Sequence, residues 1–387
     1  MKRMNKNNYR RLLYGLAGAL LLPGLSGCAK TDPSPAEPSD GLRPLSVSAD
    51  IELRSAGGAD TRAITTSFAN NNQVGMYICD HETGTPTAFI PQMNGYDNLL
   101  MQRTASTGTY PQGWYFRLNG TSTNLPEISI KEEGHVDVYA YYPYNSSTSA
   151  PTAVPFTSGK TDYLWAELTA PVAGSRAIYE PDYNFQGYIP LGLRFRHAMT
   201  CLHFQIRVNY TGSLIVKSLE LVDTKGTSRI RLAGTFSAVD GSITSTTTAG
   251  NSLKNAYTTN NTITQTGGRE PGYPNVNDDP REPNPGNYAN FYLLFPEIPD
   301  GIEPGDLILN FEFRDGTEDT DTNMGNIEGS YTLPVASFAY DDSGTPKYGL
   351  LQGKKYLFQV SVSNYVKFTP LGVVPWDYTV QDFDYDI

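Results

Sequence analysis

The 387-residue chain is poor in histidine, with four, and in cysteine, with three; 29 Lys and Arg stand against 40 Asp and Glu. None of His81, His135, His197 and His203 falls in an H-x-H or H-E-x-x-H metal pattern. No G-x-S-x-G elbow and no phosphate-cradling P-loop is present. Asp319-Thr320-Asp321-Thr322-Asn323 opens like a calcium loop, but Met324 stands where such a loop needs Gly and Ser330 where it needs Glu. Glu132-Glu133 is no acid/base dyad, because neighbours on a strand point to opposite faces. The chain therefore reads as a non-enzyme without metal or cofactor. A net charge of −11 leaves no basic footprint for a phosphate backbone, which argues against nucleic acid as a partner. Long apolar runs are missing too. The run from Leu12 to Leu22 is too short for a membrane-spanning helix. Apart from Cys28 the cysteines are Cys79 and Cys201, each in an apolar alternating run. One disulfide and two buried free thiols both remain open, and a chain this long does not need the cross-link.

What is present begins with export. Lys2, Arg3, Lys6, Arg10 and Arg11 make a basic start, the short apolar run follows, and Leu25-Ser26-Gly27-Cys28 closes it. That pattern resembles a bacterial lipobox, so residues 1–27 are expected to be a signal peptide and Cys28 the lipidated first residue of the mature chain. Acyl chains anchor a protein rather than thread it through the bilayer, at roughly 0.8 kcal/mol per buried CH₂. Losing the five leader charges takes the net charge from −11 to −16. Residues 28–43 are polar, proline-containing and without an apolar run, as in a flexible tether.

The remainder is β-rich in composition: 26 Tyr, 16 Phe and many Thr and Val, punctuated by 36 Gly and 27 Pro. Leu45, Val47, Ala49, Ile51 and Leu53 alternate with Ser46, Ser48, Asp50 and Glu52, which predicts a strand with one buried face. A Gly-rich loop follows, bounded by Arg54 and Arg62. Later apolar alternations include 74–79, 128–131, 136–142, 193–208, 214–222, 229–236, 291–295, 307–313 and 356–362. In the long 193–208 run the apolar parity changes between Cys201 and Leu202, which implies a bulge or two consecutive strands. Residues 251–290 are turn-rich and predict a long loop. Many short strands with turns between them argue an all-β architecture of two β-sandwich domains, 44–188 and 189–387.

Six short motifs then occur in order: Ala140-Tyr141-Tyr142-Pro143-Tyr144, Asp162-Tyr163-Leu164-Trp165-Ala166, Phe195-Arg196-His197-Ala198-Met199, Tyr292-Leu293-Leu294-Phe295-Pro296, Gly353-Lys354-Lys355-Tyr356 and Trp376. Following a lipobox, this series resembles the fimbrillin-like (major and minor fimbrium subunit) lipoproteins of Bacteroides-type bacteria, over roughly residues 45–387. The resemblance implies tandem transthyretin-like β-sandwich domains and a role as a building block of a cell-surface fimbria, supporting adhesion. It also implies outer-membrane export as a lipoprotein, removal of the first strand by an arginine-specific protease, and filling of the vacated place by a strand from another fimbrial subunit. On that reading Leu45, Val47, Ala49, Ile51 and Leu53 belong to the removable strand. Arg62 is the favoured cleavage site, because cutting there frees the whole loop, with Arg54 as the alternative. Trp376, Tyr378 and Val380 share one face, and Phe383, Tyr385 and Ile387 share the next. They are either a donor strand for a neighbour or the closing strand of their own sheet.

The alternative from a different class is a surface glycan-binding lipoprotein, with sugars stacked on Trp114-Tyr115-Phe116 or Tyr139-Ala140-Tyr141-Tyr142. A sugar binder has no reason to shed its first strand. His197 falls on an apolar strand face and reads as a satisfied core residue.

Overall fold

The computed structural model describes residues 42–51, 67–80, 97–105, 113–117, 129–131, 136–168, 178–179, 189–210, 212–258, 261–265, 288–316, 325–363 and 365–374. Among them there is no α-helix; one 3₁₀ turn, Val335–Phe338, interrupts the strands. The all-β expectation holds.

Ten strands come first: β1 (Leu42–Ile51), β2 (Gln73–Asp80), β3 (Leu99–Thr104), β4 (Gly113–Arg117), β5 (Ser129–Lys131), β6 (Val136–Tyr142), β7 (Val154–Thr157), β8 (Leu164–Leu168), β9 (Ile178–Tyr179) and β10 (Ile189–His197). Nine of them form one sheet in the order β4-β3-β2-β6-β8-β10-β1-β5, with β9 alongside β6. One face of this sheet carries a buried cluster: Val74, Met76 and Ile78 of β2, Val138 and Ala140 of β6, Leu164 and Ala166 of β8, and Leu193 and Phe195 of β10. Phe68 caps it, edge-on to Trp114, Tyr142 and Phe195 with ring centroids 5.0, 5.5 and 5.0 Å apart. Such edge-to-face packing suits the negative face and positive rim of each ring.

The second series is β11 (Thr200–Val208), β12 (Gly212–Asp223), β13 (Ile230–Phe236), β14 (Ile243–Gly250), β15 (Ser252–Ala256), β16 (Thr262–Gln265), β17 (Tyr288–Phe295), β18 (Leu307–Asp315), β19 (Asn326–Thr332), the hairpin β20 (Ala339–Asp342) and β21 (Thr345–Tyr348), β22 (Lys355–Val362) and β23 (Val366–Val374). A β17-β11-β22-β23 sheet packs on a β15-β12-β18-β19 sheet, with β16 also on β12. Their shared core joins Leu202, Phe204, Ile206, Phe291, Leu293, Phe358 and Val360 from one sheet to Leu214, Val216, Leu219, Leu221, Leu309, Phe311 and Phe313 from the other. A bulge between Val216 and Ser218 moves β12's apolar parity from even to odd, so both of its halves face the same core.

Two features depart from the sequence reading. Residues 189–197, expected to open the second domain, hydrogen-bond in the first sheet, β10 pairing antiparallel with β8 from Leu193↔Leu168 to His197↔Leu164. The odd-numbered Leu193 and Phe195 match the apolar face of Leu164 and Ala166, and that match decides where the strand goes. The passage from the first sheet to the second therefore falls between His197 and Thr200, within what reads in sequence as one run. Of the two alternatives for the 193–208 run, two consecutive strands is the one found, as β10 and β11, and no bulge is needed. β11 is a single strand whose even side faces the large core, while its odd side changes from apolar Cys201 to polar His203 and Gln205.

The other departure is β7. It leaves the first sheet to pair with β13, from Ala233↔Thr157 to Phe236↔Val154, in a β14-β13-β7 sheet. A third buried cluster follows from this exchange, joining Tyr77, Cys79, Tyr139 and Tyr141 of the first sheet to Val154, Phe156, Cys201, Phe236, Tyr292 and Leu294. The long loop expected over 251–290 is in part structured, carrying β15, β16 and the start of β17.

Candidate functional site

The strand assigned a removable role spans Leu42–Ile51 and joins the first sheet; Leu53 lies outside the described residues. Its two halves are held differently. Leu42, Arg43 and Pro44 pair antiparallel with Lys131, Ile130 and Ser129 of β5. From Leu45 onward the strand pairs parallel with β10: Leu45↔Ile189, Val47↔Leu191, Ala49↔Leu193 and Ile51↔Phe195. Proline cannot donate to a ladder, and Pro44 falls just before the β10 ladder starts. Over residues 45–51 the strand is thus attached to the described sheet along one side only. The positions opposite Ala49 and Ile51 are Leu193 and Phe195, both part of the first buried cluster.

The quoted motifs are not spread over a surface; they converge where the two sheets meet. Asp162 accepts a hydrogen bond from His197 Nδ1 at 3.1 Å, and both are buried. The Ala198 amide donates to Tyr163 O at 2.8 Å, and the Gly353 amide donates to Met199 O at 2.9 Å. Thr200 Oγ1 donates to Leu351 O at 2.8 Å, and the Cys201 amide donates to Lys354 O at 3.0 Å. Gly159 exchanges backbone bonds with Leu294 in both directions, 2.7 and 2.9 Å. Asn255 Nδ2 donates to both Gly159 O and Tyr292 O at 2.9 Å. Gly159 has φ +137°, and a Cβ there would lie 3.0 Å from Asn255 Oδ1, so a side chain would be strained at this crossing. The quoted motifs thereby build a structural junction. Only Trp376 lies outside the described residues.

His197 is the hydrogen-bonded core residue expected of it. His203 is equally buried; its Nε2 lies 2.9 Å from Asn290 Oδ1, and burial together with the Lys355 charge holds its pKa well below the usual histidine range, so the ring is neutral. Cys79 and Cys201 are buried in the same cluster and are not joined in a disulfide. Burial, with the Asp137 charge, pushes the Cys79 thiol up to about 12, and burial raises Cys201 as well. Neither thiol ionises at neutral pH, so neither is reactive. No group of three or more His, Cys, Asp or Glu suited to a metal occurs among the described residues.

The proposed sugar platforms are taken largely into the core, with Trp114, Tyr115 and Tyr142 half-buried. Phe116, Tyr139, Ala140 and Tyr141 are buried, and Trp114 packs against Phe68. Tyr141 Oη donates to Asn98 Oδ1 at 2.6 Å, and Tyr77 Oη donates to Thr148 O at 3.1 Å. Cys28, Arg54, Arg62, Trp376, Tyr378, Val380, Phe383, Tyr385 and Ile387 lie outside the described residues, as do His81, His135 and Asp319 to Asn323.

By fold the chain is an all-β, multi-sheet protein whose quoted motifs build a junction between sheets. Residues 61–376 match a family model described as fimbrillin-like, and the chain belongs to that family. Membership makes it a non-enzymatic fimbrial protein. Among solved structures, one described as a cell adhesion protein from Bacteroides ovatus is 16% identical, covering 87% of this chain and 98% of its own, with a TM-score of 0.48. A fimbrial protein from Bacteroides vulgatus is 14% identical, covering 86% and 99%, with a TM-score of 0.35. The tip fimbrial protein Mfa3 from Porphyromonas gingivalis is 8% identical, covering 79% and 95%, with a TM-score of 0.33. No curated protein matches the sequence.

Proposed function

We propose that the chain is a subunit of a cell-surface fimbria, exported to the outer membrane as a lipoprotein on Cys28 and assembled with other fimbrial subunits by strand exchange, in the service of adhesion to a host or bacterial surface. Residues 1–27 act as leader and 28–43 as tether, ahead of an N-terminal domain containing β1 and a C-terminal domain. A protease cuts after Arg62 or Arg54. β1 then leaves, and the C-terminal segment of a neighbour, Trp376 to Ile387, takes its place beside β10.

The observation that carries this reading is the one-sided attachment of residues 45–51. A strand held by a single ladder opposite a buried apolar row is separable. Its departure leaves unpaired backbone groups on β10 and an apolar floor that another strand satisfies.

The test is digestion of the exported chain with a trypsin-like protease, followed by intact mass and electrophoresis. One cut after Arg62 or Arg54, loss of the N-terminal peptide and SDS-resistant oligomers are expected. Oligomers formed equally well by the double variant Arg54→Ala, Arg62→Ala in the presence of protease would overturn the processing step.

A further inference from the structure

β5 (Ser129–Lys131) stands at the end of the first sheet, beyond β1. Among the described residues its one ladder is with β1, through Leu42, Arg43 and Pro44. β1 in turn pairs with β10 only from Leu45 onward. β5 therefore joins the rest of the sheet through β1 alone. A strand of three residues makes too few backbone bonds to offset, unaided, the entropy of fixing its own backbone.

The apolar pattern of β1 changes where its partner changes. Leu42 and Pro44, beside β5, fall on even positions; Leu45, Val47, Ala49 and Ile51, beside β10, fall on odd ones. The C-terminal segment carries the same mark. Trp376, Tyr378 and Val380 fall on even positions, and Phe383, Tyr385 and Ile387 on odd ones. A change of parity within a strand turns its apolar set to the other face. From Trp376 to Ile387 there are 387 − 376 + 1 = 12 residues, against the 10 of β1.

We propose that the place of β1 is a two-part acceptor, β10 along residues 45–51 and β5 along residues 42–44, and that β5 is held in the sheet only while one strand spans both parts. The occupant after processing is the C-terminal segment of a neighbouring subunit, which matches β1 in length and in its change of parity. That half rests on the strand-exchange reading above; the dependence of β5 on β1 rests on the ladders alone. Length then becomes a criterion for the partner. A strand that fills only the β10 part leaves β5 unattached, and with it the link into β6, a strand paired on both sides within the sheet. An empty subunit thus differs from a filled one at two places, β10 and β5.

Hydrogen exchange tests both halves. In the unprocessed full chain, residues 129–131 should never stay protected after β1 has opened, at any denaturant concentration. Ala49→Pro weakens the β1–β10 ladder without touching β5. It should speed exchange in 129–131 about tenfold, together with 189–195, and leave β2 and β3 unchanged. Protection of β5 that outlasts β1 in the unaltered chain, or β5 unmoved by Ala49→Pro, would overturn the dependence. For the occupant, the processed chain that has lost β1 is mixed with synthetic peptides. A peptide of residues 376–387 should restore protection to 189–195 and 129–131 alike, and a peptide of residues 45–51 to 189–195 alone. Restoration of 129–131 by the seven-residue peptide, or its absence with the twelve-residue one, would refute the two-part acceptor. A chain that keeps β1 after cleavage defeats the strand-exchange reading and leaves the measurements on the unprocessed chain to decide the dependence of β5.

Discussion

The first sheet and the large sandwich of the second series bury their apolar residues in opposite ways. In the sandwich two sheets close on each other, with Phe204 and Phe358 stacked across neighbouring strands at 5.4 Å. In the first sheet, residues 45–51 of β1 stand at a core edge with a single ladder. One core is closed between two sheets; beside the other, residues 45–51 of β1 are attached along a single ladder. Two-sheet closure and one-sided attachment therefore fall in different regions of the same chain.

The sharpest way to break this comparison is to hollow out each core in turn. Phe358→Ala should cost about 3–5 kcal/mol and lower the melting temperature of the whole chain. Phe195→Ala should fall at the lower end, about 3 kcal/mol, with its hydrogen-exchange signature confined to the first sheet. Equal, chain-wide losses would erase the distinction.

Next is the ionic clasp at one end of the sandwich. Arg229 binds the Asp223 carboxylate with Nη2–Oδ1 at 2.7 Å and Nε–Oδ2 at 3.1 Å, and reaches Asp306 at 3.2 Å. Lys225 joins Asp306 at 3.2 Å and Glu303 at 2.8 Å. Hydrogen bonds from Arg229 hold the Asp223 carboxyl down at about 2. Removing the cation leaves the buried Asp223 carboxylate without its charge partner while Lys225 still holds Asp306, so Arg229→Ala should cost about 3 kcal/mol at neutral pH. A depressed carboxylate pKa stabilises the fold above its unfolded value of 3.8, and that stability is lost as pH falls through about 2. In Arg229→Ala the acid transition should move upward toward about pH 4 in a pH-melt series.

Smaller still is the effect at β1. Val47→Asp with Ile51→Asp should destabilise the uncleaved chain by about 2 kcal/mol, and the change should vanish once the segment is removed. An unchanged melt of the uncleaved double variant would separate β1 from the first core. Smallest is oxidation: Cys79 and Cys201 should resist an exposed-thiol reagent until the chain unfolds, with melting the same under reducing and oxidising conditions.

How much of this was legible beforehand depends on the kind of signal. Alternation found the strands of the second series because their faces are cleanly divided, as in Leu307, Leu309, Phe311 and Phe313. It also found β1. Alternation does not say which sheet a strand joins, and Ile189–His197 was misplaced for that reason. β7 could not have been assigned to β13, because a four-residue strand with a proline carries no information about a partner in the other half. The motifs were visible as motifs, but their convergence depends on bonds such as Asp162 to His197 and Gly159 to Leu294, which join residues far apart in sequence. Tyr139 and Tyr141 looked equally suited to a surface or a core, since aromatic alternation is the same in both.

The parallel pairing of β1 with β10 also sets an order in time. Leu45 meets Ile189, so this ladder closes only after almost every other strand of the first sheet has emerged and been placed. Contacts between residues so distant in sequence form late, because the entropy of closing the intervening loop must be met first. Hairpin neighbours such as β2 with β3 and β3 with β4 need no such wait. The first strand of the sheet to be synthesised is thus among the last to dock. Until it docks, a nascent chain has the backbone groups of β10 that face β1 unpaired.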